Sequence, residues 1–123
     1  RVLVALDSCF SGAGGRSVLQ KGTRPLVSKA DLGSSSDLGK LVVFTASAGN
    51  QISGTFDSQG HGLFTYYFLK GLDGAAVNAQ GGVSAKGLYD YLFPKVADEA
   101  NRGNRTQSPQ LLTGLGETEV RLR

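Results

Sequence analysis

Two five-residue runs constrain this chain more than anything else in it: Val2–Leu6, reading Val-Leu-Val-Ala-Leu, and Leu41–Thr45, reading Leu-Val-Val-Phe-Thr. Each is short for a helix, rich in β-branched or aromatic residues and closed by small polar ones, which is the pattern of a strand. A strand apolar at every position, instead of every second one, is expected to be covered on both faces. That requirement points to an α/β architecture with a mainly parallel sheet between helices.

The residues at the carboxyl end of each run carry the chemistry. The first run leads into Asp7, Ser8, Cys9, Phe10, Ser11 and Gly12, and the second into Ala46, Ser47, Ala48, Gly49 and Asn50. Open α/β sheets bind ligands in the crevice outside the carboxyl ends of their strands. If the two runs are parallel neighbours, Asp7 and Cys9 share one sheet edge with Ala46 and Ser47. If they are not, the same small residues are simply turns.

Between the runs, residues 13–40 change character to Gly, Ser, Lys and Arg with one Pro and no sustained period, which reads as a flexible loop. Loops longer than about 15 residues in a compact domain are usually functional or disordered. This one holds Arg16, Lys21, Arg24 and Lys29, which are either sites of processing by a protease that prefers basic residues or charges that keep a surface loop solvated. Further on, Leu63, Phe64, Tyr67, Phe68 and Leu72 keep helical spacing, with Gly71 and Gly74 as stop signals. Ser84 is a candidate N-cap for a second helix running towards Asn101, with Leu88, Leu92 and Val96 on one face and Pro94 expected to kink or split it. Residues 118–122 alternate in polarity as a half-exposed edge strand does.

Three strands make a small sheet for a domain of 123 residues that is 40% hydrophobic, and further strands on the amino-terminal side are expected. The absence of Met and the start at Arg1, directly before a strand, suggest a fragment or processing product. No run approaches the roughly 20 apolar residues of a membrane span, so no membrane partner is expected. One cysteine permits no internal disulfide, and a reducing, cytoplasmic setting is the default. The net charge of +3 is scattered and the aromatics lie in apolar runs, which argues against nucleic acid.

Cys9 is either a small buried hydrophobe or a nucleophile. Its place after a strand, among Ser8, Ser11 and Gly12, favours reactivity, with turn N–H groups available to an oxyanion. Asp7 would raise a neighbouring thiol's pKa and so does not activate it. Its better use is to pair with a cationic side chain of a substrate.

These residues resemble a known family. Residues 3–12 look like the catalytic cysteine loop of the caspase-like peptidases, in the branch of metacaspases, paracaspases and bacterial caspase homologues. Thr45, Ala46, Ser47, Gln51 and Ser53 resemble the strand and pocket loop that come next in that family. Residues 61–67 are similar to the start of its next helix, and residues 107–111 to the segment before its last strand. The order of these segments is more specific than the cysteine motif alone.

The resemblance implies a three-layer caspase-like sandwich, of which residues 1–123 are the carboxyl-terminal portion, and a cysteine endopeptidase working through a His/Cys dyad. Carried over, Cys9 is the nucleophile, Asp7 lines the S1 pocket and selects Arg or Lys, and Ala46 and Ser47 wall that pocket. The partner is then a polypeptide with a basic P1 residue. In this family the catalytic His precedes the Cys by about 50 residues, and only eight residues precede Cys9 here. The His is therefore expected outside this chain, in the missing amino-terminal part of the domain or in a separate chain, and the chain alone is expected to be inactive. His61 with Gly62 matches a different family segment, as a loop or cap histidine, although a helix returning from the second strand would start near the active edge. The alternatives are a caspase-like domain that serves as a non-catalytic interaction scaffold and an unrelated α/β domain with a buried cysteine. Calcium stimulates many metacaspases, but residues 73–82 lack the run of carboxylates a calcium loop requires. No cofactor and no metal ligand is expected.

Overall fold

The computed structural model describes residues 1–7, 36–48, 55–56 and 61–123, and for 55, 56 and 61 the backbone only. Strands β1 (Val2–Leu6) and β2 (Leu41–Thr45) fall on the two apolar runs. They pair in parallel, with Val2 opposite Leu41 and Leu6 opposite Thr45. Strand β3 (Thr55–Phe56) pairs antiparallel with β4 (His61–Gly62), and helix α1 (Leu63–Lys70) starts directly after β4. A wide π-type turn over Gly71–Ala75 ends α1. Helix α2 (Ala85–Arg102) comes next, and β5 (Gln110–Thr113) returns antiparallel to β2. The main sheet is thus mixed, in the order β1-β2-β5.

The core lies between β2 and the helices. Val42, Phe44 and Ala46 point to the same face by strand alternation, and they pack with Phe64 and Phe68 of α1 and with Leu88 and Leu92 of α2. Phe44 meets Phe68 edge-on, with ring centroids 5.2 Å apart, a favoured aromatic geometry. A smaller cluster of Leu63, Val96 and Ala100 joins α1 to the end of α2. Tyr67 packs against both, and burial, with help from the Glu99 carboxylate, pushes its hydroxyl above the usual tyrosine range.

Several sequence expectations need correction. The first run is a strand but is not covered on both faces: Val2 is 56% exposed, Leu3 42% and Leu6 38%. The reason is topological. Among the described residues β1 has a neighbour on one side only, and no β1 residue joins the core clusters. Pro94 does not split α2, which runs unbroken from Ala85 to Arg102. Proline removes one donor to the carbonyl four residues back, but Leu88, Leu92, Val96 and Ala100 carry the buried stripe of the helix past it.

Residues 118–122 form no strand of the main sheet. They lie against the start of α2 through a single bridge, Ser84 to Arg121. Their carbonyls satisfy N–H groups that every helix start leaves open: Ala85 N donates to Val120 O and Lys86 N to Thr118 O, both at 2.9 Å. The sheet's third strand is instead β5, built on Leu111 and Leu112, a stretch without alternating polarity. Of the long loop, residues 13–35 lie outside the described residues. Residues 36–40 make turns that bury Leu38 and lead into β2.

Candidate functional site

The parallel pairing of β1 and β2 decides which side chains meet. Because Leu6 sits opposite Thr45, both strands leave the sheet at the same edge and in the same direction. The ladder continues one step further, with Ala46 N donating to Leu6 O at 2.9 Å. Asp7 and Ala46–Ser47 therefore leave side by side, half-buried except for Ala46, which is buried.

The β2 side of this edge is tied down twice. Thr45 Oγ1 donates to Ser47 O at 3.2 Å, folding the loop back on the strand end. Gln107, 1% exposed and placed just before β5, donates from Nε2 to Ala46 O at 2.9 Å. Both backbone groups of Ala46 are thus bonded, one to β1 and one to a buried amide from 61 residues away. Buried backbone acceptors are costly to leave unpaired, so Gln107 restrains where the loop after β2 can go.

Asp7 is held from a third direction. Thr65 Oγ1, in the first turn of α1, donates to Asp7 Oδ2 at 2.5 Å. Gly62 allows the approach: a β-carbon there would overlap Oδ2 and lie 3.1 Å from Cγ. The helix supplies no cap of its own, since Gly62 has no side chain to offer and the first turn carries no acidic residue. The Asp7 carboxylate brings negative charge to that end, where the helix dipole favours it. One carboxylate is therefore seated between the end of β1 and the start of α1.

Of the residues singled out from the sequence, the structure brings Asp7, Ala46 and Ser47 to one edge. Cys9 lies outside the described residues, as do Ser8, Ser11, Gly12, Gln51 and Ser53. The backbone of His61 pairs with Phe56 across the antiparallel β3/β4 pair and leads into α1. Sequence reasoning gave no role to Thr65, Gly62 or Gln107. Thr65 stood in a helix start read for its apolar spacing, and Gln107 in a segment read only by its family resemblance. Both contacts span about sixty residues, so no local signal announces them. Among the described residues no three His, Cys, Asp or Glu side chains converge as metal ligands would. No protein-family model, curated protein or solved structure matches this chain.

Proposed function

We propose that this chain is the carboxyl-terminal part of a caspase-like cysteine endopeptidase that cleaves after Arg or Lys, with the catalytic His supplied from outside the chain. The observation that carries the reading is the shared edge: parallel β1 and β2 bring Asp7, two residues along the chain from Cys9, out beside Ala46 and Ser47. In this reading the Cys9 thiolate attacks the scissile carbonyl, the amine leaves with a proton from the histidine, and water hydrolyses the thioester. Asp7 pairs with the cationic P1 side chain, and Ala46 and Ser47 flank that side chain. The exposed apolar residues of β1, Val2, Leu3 and Leu6, support a further part of the domain packing there.

The test is covalent labelling. A peptidyl-Arg chloromethyl ketone added to the polypeptide completed by the histidine-bearing part is expected to alkylate Cys9, as mass spectrometry of the Cys9 peptide would report. Fluorogenic Arg and Lys peptides are expected to be cleaved, and cleavage to be lost in Asp7→Ala. An unmodified Cys9 in that polypeptide refutes the peptidase and leaves the interaction scaffold or an unrelated α/β domain with a buried cysteine. Equal turnover of an Asp peptide refutes the basic specificity.

A further inference from the structure

Thr65 lies on a different element from every residue assigned to the pocket, yet its hydroxyl is the described side-chain donor to Asp7. One bond holds this carboxylate and one close approach permits it: the Thr65 hydrogen bond at 2.5 Å, and Gly62, where the missing β-carbon leaves room for the carboxyl group. A carboxylate offers about four lone-pair sites, and Thr65 occupies one of them on Oδ2. The carboxylate that results is an acceptor whose plane is set by α1.

That plane matters for one class of cation. A guanidinium is a flat fork that pairs with both oxygens of a carboxylate only when the two groups are coplanar, whereas an ammonium is a point charge that tolerates any orientation. A side chain that fixes the carboxylate's orientation therefore favours Arg over Lys.

We propose that Thr65 is a positioning residue for Asp7 and sets a preference for arginine over lysine at this site. The proposal rests on the reading of Asp7 as the acceptor of a cationic side chain. It makes α1, which carries no residue of the reaction itself, a determinant of specificity. Gly62 belongs to the same device, because a side chain there would push the carboxylate out of the plane that Thr65 sets.

The experiment uses two unreactive probes, Nα-acetyl-argininamide and Nα-acetyl-lysinamide, with binding measured by calorimetry on the completed polypeptide and its Thr65→Val and Thr65→Ser variants. Turnover of matched Arg and Lys peptides is measured on the same samples. Thr65→Val keeps the shape and removes the donor. It is expected to weaken argininamide binding about tenfold, the size of losing one arm of the bidentate pair to a carboxylate turned out of plane, and lysinamide binding by less than about threefold. Thr65→Ser is expected to restore the arginine preference. A merely structural role would lower both affinities together. The proposal is overturned if the two probes weaken equally, if argininamide binding is unchanged in Thr65→Val, if Thr65→Ser fails to restore it, or if the parent protein binds neither probe. Probe binding with this pattern in a protein that cleaves no peptide upholds the positioning role and refutes the peptidase. Arg cleavage indifferent to Thr65→Val does the reverse.

Discussion

Gln107 offers the sharpest test of how the edge of the sheet is held. Its side chain is 1% exposed and its Nε2 donates to the carbonyl of Ala46, itself 2% exposed. Gln107→Leu keeps most of the volume and removes the donor, leaving the carbonyl without it. Stranding one buried acceptor costs about 1–3 kcal/mol. A loss of about 2 kcal/mol, with a urea m-value of about 2 kcal/mol/M, lowers the unfolding midpoint by about 1 M. Gln107→Glu adds a pH signature. The ionised carboxyl cannot donate to Ala46 O, while the neutral acid can. Burial and the facing carbonyl raise the introduced carboxyl's pKa in the folded state above its unfolded value of about 4.3. The hydrogen bond is therefore fully present below about pH 4.3 and is lost as the pH rises through the raised folded value, so this variant should lose stability with rising pH relative to wild type. Urea titrations of the three proteins between pH 4 and 7 measure both effects. A Gln107→Leu midpoint within about 0.2 M of wild type, too small for a stranded buried acceptor, would refute the clamping role of Gln107, as would a Gln107→Glu deficit that does not change with pH.

Two further outcomes rest on local geometry. Ser84 Oγ accepts from Gly87 N at 3.0 Å and caps α2, so Ser84→Ala should destabilise the protein by about 1 kcal/mol, read as a lower urea midpoint; an unchanged midpoint would mean that the 118–122 segment alone secures the helix start. Gly114 passes so close to Gly39 that a β-carbon would overlap the Gly39 carbonyl oxygen and lie 2.7 Å from its carbon. Both partners are backbone and neither can swing aside, so Gly114→Ala should cost about 1–3 kcal/mol or more, and a thermal melt at wild-type temperature would contradict the close approach.

Much of the element order is legible along the chain. The β1 and β2 runs are uniform enough in hydrophobicity to show their extent, and Ser84 marks the start of α2 because its hydroxyl satisfies a donor three residues away. The misreadings have one cause. Burial of β1, continuity of α2 past Pro94 and the fate of residues 118–122 each depend on what lies beside the segment, and hydrophobic pattern reports only what a segment can bury. β5 is hidden in the sequence for the same reason, since four residues without alternation become a strand only when β2 offers its edge.

The site divides along the same line. Sequence alone determined the chemistry at hand: a carboxylate at position 7, a thiol at position 9, and small residues after the second apolar run, because residue type and place along a strand are local properties. Tertiary structure decided that the two strands run parallel, that Ala46 is clamped by Gln107, and that Asp7 is seated against Gly62 and Thr65. The contacts that clamp Ala46 and seat Asp7 join residues more than fifty positions apart, and they form only because packing of α1 and α2 on β2 brings the first turn of α1 to the end of β1.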